Sequence, residues 1–169
     1  MQEVSINKQM KLSQHFTLGE LCKTKHDTED GNIPRRVALE NLKRICENWL
    51  EDLRYSYNTL YCLQPGEDYE ASKNVEPLII NSGYRSPAVN LLAGGAKTSN
   101  HLSGCAVDIR CAGKEQMIRY ASILLDIADG TKQDYDELLL EQHGNICWLH
   151  FAVRPPSQGN RRKIDFLKG

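Results

Sequence analysis

Residues 99–108 read SNHLSGCAVD, so a polar loop that carries His101 runs directly into an apolar stretch that carries Asp108. The small and β-branched residues of 105–111 (CAVDIRC) predict a buried β-strand. Gly104 permits a tight turn that would fold His101 back beside this strand. Asp108 has apolar neighbours on both sides, and a buried carboxylate without a partner is costly. A shared metal ion is one way to stabilise both residues.

A third candidate ligand, His150, lies on a second predicted strand, residues 146–154 (ICWLHFAVR). In an alternating strand, His150 shares one face with Trp148 and Ala152, away from the neighbouring apolar residues. Two imidazoles and one carboxylate suit a catalytic zinc, which keeps a fourth position open for water. A hydrogen-bonded core histidine is the competing interpretation, because a His-x6-Asp spacing alone has little specificity.

The hydrophobic pattern of the first half predicts helices. Thr17 and Glu20 form a candidate capping box and predict a short helix in the segment LSQHFTLGELC. Apolar residues at three- and four-residue steps predict a long amphipathic helix from Pro34 to about Tyr57. Residues 58–77 are mixed, polar and contain Pro and Gly, so we expect an irregular insertion there.

The second half of the chain predicts a β-α-β-β arrangement. In chain order, we expect a short strand in PLIINSG (77–83), a short helix from Pro87 to Gly94, the strand 105–111, a helix over 113–130, and two strands, 135–142 and 146–154, joined by the turn HGN. This order indicates an α+β fold in which one layer of helices packs against a small antiparallel sheet.

The composition indicates one globular domain over residues 1–169, with a lead-in at 1–33. The net charge of −1 gives no electrostatic drive toward nucleic acid or an anionic membrane surface. No apolar run approaches the length that would span a bilayer. We therefore expect no nucleic-acid partner, no membrane span and a monomer.

The cysteines and the C-terminal basic residues have ordinary explanations. None of the six cysteines form a CxxC pair, so we expect reduced core residues rather than a thiolate zinc site. Cys105 and Cys147 are close in sequence to the candidate ligands and are expected to be buried. The cluster Arg161-Arg162-Lys163 is expected to be a solvated tail, with a contact to an anionic polymer as the alternative.

Three motifs taken together resemble a known family. SGYRS at 82–86 is followed after Gly-Gly by SNHLSGCAVDI and later by WLH, and this combination resembles the M15 peptidases, in particular small domains of the D-Ala-D-Ala carboxypeptidase and phage endolysin type. The pattern S-x-H-x-x-G-x-A-x-D is met by Ser99, His101, Gly104, Ala106 and Asp108. The lead-in and the first long helix are also similar, so the resemblance covers nearly the whole chain.

The resemblance implies a Hedgehog/D,D-peptidase-like fold and a zinc ion bound by His101, Asp108 and His150. Arg85 would correspond to the family arginine beside the metal, which helps to bind or polarise the substrate. A guanidinium suits this role because it stays charged and donates several hydrogen bonds. A purely structural salt bridge is the alternative for Arg85.

The general base departs from the common family pattern. Many relatives place a glutamate three residues before the last histidine, but Cys147 occupies that position here. In the subgroup that looks most similar, a glutamate ends the preceding strand, and Glu141 matches it. Glu137 and Asp136 are the rival candidates, and His143 is expected to be a surface residue.

The remaining site residues and the function also follow from the resemblance. Tyr84, Ser99 and Trp148, together with Arg85, are expected to bind substrate, although Trp148 could equally be a core residue. The implied activity is zinc-dependent hydrolysis of peptidoglycan stem peptides, as a D,D-carboxypeptidase or an endopeptidase. A catalytically weak or inactive zinc-containing module that binds peptidoglycan is the alternative, and an interaction domain without metal is a third.

The N-terminal residues bear on where such a protein would act. Residues 1–16 lack the apolar core of a secretory signal. We expect synthesis in the cytoplasm without a signal peptide, and action at the cell wall after release or export. Release with a phage or mobile-element lysis system and export as an effector both fit this expectation.

Overall fold

A computed structural model describes residues 7–169, so the first six residues of the predicted lead-in lie outside the described part of the chain. Within that part, five strands form one sheet in the order β1-β2-β4-β3-β5. The strands are β1 (Ile80–Ser82), β2 (Ala106–Cys111), β3 (Glu137–His143), β4 (Ile146–Ala152) and β5 (Lys163–Lys168). Neighbouring strands are antiparallel, except that β5 runs parallel to β3.

The rest of the regular secondary structure in the described chain is helical. They are α1 (Leu18–Leu21), α2 (Arg36–Ile45), α3 (Glu51–Tyr61), α4 (Pro87–Leu92) and α5 (Lys114–Thr131). A π-helical segment, Cys46–Leu50, joins α2 to α3, and short 3₁₀ turns occupy Asn100–Ser103 and Pro156–Gln158. None of the described helices is long and apolar enough to cross a membrane.

The α+β fold class predicted from the sequence is confirmed, with two adjustments. The long helix continues to Tyr61, so the first residues of the predicted insertion 58–77 are helical. The fifth strand makes the sheet mixed rather than antiparallel. At the start of the chain, the capping box is present as predicted: the Thr17 hydroxyl accepts a hydrogen bond from the backbone N–H of Glu20.

The two faces of the sheet have different environments. On one face, buried apolar side chains pack against the helices, and the rings of Trp49 and Phe151 lie 5.0 Å apart between centroids. This face is composed of Val107, Ile109, Leu138, Leu140, Leu149 and Phe151, all of them buried. Because side chains alternate along a strand, the residues between them, including Asp108 and His150, lie on the opposite face.

Gly104 fixes the turn that delivers His101 to that opposite face. Its φ is +71°, and a Cβ at this position would lie only 2.4 Å from the carbonyl oxygen of Ala38 in α2. The turn therefore packs directly on the helix. No residue with a side chain fits here without moving the backbone of one or the other.

Replacing this glycine tests the close approach. Gly104→Ala is expected to lower the free energy of unfolding by about 2–6 kcal/mol, since a left-handed φ and overpacking each cost about 1–3 kcal/mol. Gly94→Ala is a matched control, because Gly94 has the same φ of +71° but open space around its Cβ position. Urea unfolding should show the larger loss for Gly104; equal losses would mean that the contact with Ala38 is unimportant.

Candidate metal centre

His101, Asp108 and His150 converge on the sheet face opposite the one that carries the buried apolar side chains. His101 comes from the turn Asn100–Ser103, Asp108 from β2 and His150 from β4, where it lies directly opposite Asp108 in the strand register. One potential ligand atom from each residue lies within 4.8 Å of the other two. The predicted grouping of these three residues is therefore present in the structure.

The imidazole of His101 is held in one orientation by the backbone. Its side chain is buried, and its Nδ1–H donates a hydrogen bond of 2.6 Å to the carbonyl oxygen of Gly83. This bond places a proton on Nδ1, so the lone pair of the neutral ring would be on Nε2, which lies 3.4 Å from Oδ2 of Asp108. A histidine that ligates a metal usually donates its other N–H in this way.

His150 is oriented by two carboxylates. Its Nδ1 lies 2.9 Å from Oδ1 of Asp108, and its Nε2 lies 3.2 Å from Oε1 of Glu137. If Nε2–H donates to Glu137, Nδ1 is free to bind a metal beside Asp108. Glu137 also accepts a 2.7 Å hydrogen bond from Nδ2 of Asn100, and these contacts, that from His150 above all, lower the pKa of Glu137.

The electrostatics of the three residues favour a cation among them. Burial alone would raise the pKa of Asp108, but His101 and His150 outweigh it and hold that pKa well below its ordinary value. Burial likewise opposes a charge on His150, yet the hydrogen bonds to Asp108 and Glu137 raise its pKa to about 9. Without a metal, the positive charge that these carboxylates stabilise is a proton on the imidazole.

The donor set fits a catalytic zinc ion. Two histidine nitrogens and one carboxylate supply three protein ligands, which is the number that catalytic zinc sites use while keeping a position open. The accepting partner of each histidine, the Gly83 carbonyl for His101 and Glu137 for His150, is also in place. Cys105 and Cys147 are both buried, as predicted, and all six cysteines are free.

Arg85 lies beside the three residues on the β1 side of the sheet. Its Nη2 donates to Oδ2 of Asp108 at 3.2 Å, and its Nε donates to Oγ of Ser82 at 2.9 Å. Its backbone N–H also donates to the carbonyl of His101 at 3.0 Å. Arg85 therefore makes the salt bridge considered from the sequence, and among residues 7–169 its remaining guanidinium N–H groups have no hydrogen-bond partner.

In a comparison with family models, the peptidase M15 model matches residues 14–132. The chain belongs to the peptidase M15 family. The matched part of this M15 peptidase includes Arg85, His101 and Asp108 but ends before β3. The position of His150 beside Asp108 therefore comes from the strand register of the structure and not from the family match. No curated protein sequence matched the chain.

Glu141 of this M15 peptidase lies on the same sheet face as His150. It pairs with Trp148 across β3 and β4, and the indole Nε1–H of Trp148 donates to Oε2 of Glu141 at 2.8 Å. Burial raises the pKa of Glu141, the negative charge of Asp108 raises it further, and the Trp148 hydrogen bond partly opposes both. The raised pKa of Glu141 and the lowered pKa of Glu137 distinguish the two candidate bases.

A cavity of about 450 Å³ opens over the three residues. Of the residues expected to bind substrate, Arg85, Ser99 and Trp148 line it, and so do Glu137 and Glu141. Tyr84 does not line it, and the expected contact of Tyr84 with substrate has no support in this structure. The reason is that Tyr84 is buried, while the carbonyl of the preceding residue is the group that points at His101.

The basic residues near the C-terminus are partly structural, so the predicted solvated tail is wrong for Arg161. The Nε and Nη2 of Arg161 donate to the two carboxylate oxygens of Asp136 at 3.0 and 2.8 Å. Asp136 is fully buried, and its pKa falls to about 2, chiefly because these hydrogen bonds outweigh the effect of burial. Asp136 is therefore engaged in an ion pair and is not a free general base, whereas His143 is exposed as predicted.

Among the cavity residues missed from the sequence, three have hydrogen-bonded polar side chains: Asn100, Arg154 and Arg161. Asn100 donates to both Asp136 and Glu137, and its Oδ1 accepts from Nε of Arg154 at 2.9 Å. A usable signal was present, because Asn100 directly precedes His101 in the motif. The two arginines have no local pattern that would place them at this cavity.

Proposed function

We propose that this M15 peptidase binds one zinc ion through His101, Asp108 and His150 and hydrolyses peptide bonds in peptidoglycan stem peptides. The observation that carries the proposal is the convergence of these residues within 4.8 Å in a cavity that also contains Glu141. The family match supports a peptidase. The resemblance to D-Ala-D-Ala carboxypeptidases and endolysins supports the substrate class.

His101, Asp108 and His150 would hold the zinc ion, and when bound it supplies a Lewis acid that lowers the pKa of a coordinated water. Glu141 then accepts a proton from the attacking water and returns it to the amine nitrogen of the departing peptide. Its raised pKa suits both steps, because a carboxylate that holds a proton more firmly is both a stronger base and able to return that proton as an acid.

Arg85 and Glu137 assist in different ways. The free N–H groups of Arg85 donate to the substrate carbonyl oxygen as negative charge develops there. Glu137 accepts from Nε2 of His150 and keeps the ring in the orientation that presents Nδ1 to the metal. Glu137 is thus a positioning residue, and Glu141 is the catalytic base.

The alternative of an inactive binding module was based on Cys147, which occupies the position of the usual glutamate. Cys147 is buried and pairs with Cys111 across β2 and β4. Glu141 supplies a carboxylate to the cavity from the next strand. This placement favours the enzyme over the binding module. We further propose that the protein acts at the cell wall after release or export.

Replacing Trp148 tests Glu141 as the base through pH dependence. Trp148→Phe removes the N–H that stabilises the ionised form of Glu141, so the pKa of Glu141 rises further. The base works only when ionised, so the acid limb of kcat/KM is expected to move to higher pH, with less than about a tenfold change on the plateau. An unchanged acid limb would assign it to another group.

Mass spectrometry of digested muropeptides tests the function. We expect the zinc-loaded protein to release fragments that carry new amino and carboxyl ends, and the masses identify the bond that is cut. Protein treated with a chelator should release none, and added zinc should restore the products. If the folded, zinc-loaded protein cleaves no muropeptide, crosslinked or not, the proposed function is wrong and the binding-module alternative replaces it.

A further inference from the structure

The cavity contains cationic groups on both sides of the three metal-binding residues. Arg85 lies on the β1 side, where it contacts Asp108. Arg154 and Arg161 line the same cavity near the start of β3, at the other side of the sheet. The proposed mechanism uses only Arg85, so it assigns no function to the pair Arg154 and Arg161.

Asp136 forms ion pairs with both Arg154 and Arg161. It is fully buried and accepts a two-point hydrogen bond from Arg161, while its Oδ2 lies 3.3 Å from Nε of Arg154. Nε of Arg154 also donates to Asn100 at 2.9 Å. These contacts fix one edge of each guanidinium and leave other N–H groups, in particular both terminal nitrogens of Arg154, without a hydrogen-bond partner in the described structure.

The arrangement links the arginines to the reaction centre. Arg154 contacts Asn100, Asn100 donates to Glu137, and Glu137 accepts from His150. A group bound by Arg154 would therefore lie close to the scissile bond. Since an extended peptide spans about 3.3–3.6 Å per residue, that group would belong to a residue only a few positions from the bond.

The charges of the cavity favour an anion. Arg85, Arg154 and Arg161 are balanced in its lining by Asp108, Glu137 and Glu141. A bound divalent metal makes the lining net positive. A guanidinium with an oriented, unpaired edge matches a carboxylate, which can accept two parallel hydrogen bonds from it.

We propose that Arg154 and Arg161 form a carboxylate-binding subsite that selects peptide substrates with an acidic group on the β3 side of the scissile bond. This inference rests on the proposed peptidase function and specifies its substrate. The acidic group is a free terminal or side-chain carboxylate, and its amide is discriminated against because it carries no charge and accepts only one of the two hydrogen bonds.

Equilibrium binding of matched peptides tests the subsite without requiring turnover. A stem pentapeptide and versions of it amidated at one carboxyl group at a time would be titrated into the zinc-loaded Glu141→Gln protein by calorimetry. Amidation of one particular carboxyl group is expected to weaken binding about tenfold or more, the usual scale for losing a charge-assisted pair. That carboxyl group identifies the one bound by the arginines.

Variants assign the effect to residues. Arg154→Gln should weaken binding of the acidic peptide about tenfold. The Kd of the peptide amidated at the carboxyl group that the arginines bind should stay unchanged. Arg161→Lys keeps a positive charge beside the buried Asp136, so the fold should be retained. It loses the two-point hydrogen bond that orients the Arg161 side chain on Asp136, so discrimination between the acidic and the amidated peptide should again fall. Arg162→Gln is the matched control, because Arg162 contacts Asp134 and Tyr135 rather than the cavity.

The outcomes separate this inference from the proposed function. Equal losses for acidic and amidated peptides in Arg154→Gln, or no binding of the acidic peptide at millimolar concentration, would reject the subsite. Muropeptide cleavage without any discrimination at the carboxyl group would leave the peptidase function intact and reject the subsite. Discrimination in binding without cleavage would keep the subsite and reject the peptidase function.

Discussion

Glu141→Gln is expected to lower kcat by about 10²–10⁴-fold, the range that a positioned general base contributes. The substitution keeps the shape of the side chain and removes its capacity to accept a proton. Trp148 can still donate to the remaining amide oxygen, so the local structure should persist. Zinc content and thermal stability are expected to stay near those of the parent, and steady-state hydrolysis of a defined muropeptide measures the loss.

Glu137→Gln is the matched control, because the two glutamates lie on one strand and one face. Glu137 accepts a hydrogen bond from His150 and is not the base. Replacing its carboxylate by an amide should weaken zinc affinity by about 10–100-fold, which is the usual cost of losing the hydrogen-bond partner of a metal-binding histidine. At saturating zinc, most of the activity of Glu137→Gln should return. If instead Glu137→Gln stays inactive with zinc bound and Glu141→Gln turns over normally, the assignments are reversed.

His101→Ala is expected to abolish stable zinc binding and to reduce hydrolysis to background. It removes one of only three protein ligands and opens a space beside Asp108, so the remaining two residues bind zinc weakly. The parent should contain about one zinc per chain by elemental analysis after gel filtration, as a three-ligand site predicts. The variant should contain almost none.

Thermal unfolding gives a second measurement for His101→Ala that does not depend on turnover. Zinc at 100 times its Kd should stabilise the parent by about 2.7 kcal/mol, and the variant should show no such response. His143→Ala is the control, because His143 is exposed at the end of β3. A zinc response in His101→Ala equal to that of the parent would remove His101 from the site.

Local sequence signals predicted the parts of the molecule that local chemistry determines. Thr17 and Glu20 specify a capping box within one turn, and strand alternation predicted that His150 and Trp148 share a face, where both line the cavity. The grouping of His101 with Asp108 also follows from a short turn. Each of these arrangements depends on residues that are near in sequence or on a two-residue repeat.

The features that were missed depend on long-range register. β5 pairs with β3 in parallel, and its side chains are exposed, so KIDFLK has no buried pattern that would reveal a strand. Arg161 stands among like charges in the sequence, but its partner Asp136 lies 25 residues earlier. The contact of Glu137 with His150 likewise requires the β3–β4 register. The predictions of one domain, a monomer and no nucleic-acid partner stay predictions.

The central claim is that His101, Asp108 and His150 bind one metal ion in a site open to substrate. X-ray absorption spectroscopy of the zinc-loaded protein at the zinc edge tests it most directly. We predict one zinc with a shell of nitrogen and oxygen only, at about 2.0–2.2 Å, and outer-shell scattering from two imidazoles. The scattering of one imidazole should be lost in His150→Ala. A sulfur ligand at about 2.3 Å, or an unchanged spectrum in that variant, would contradict the claim.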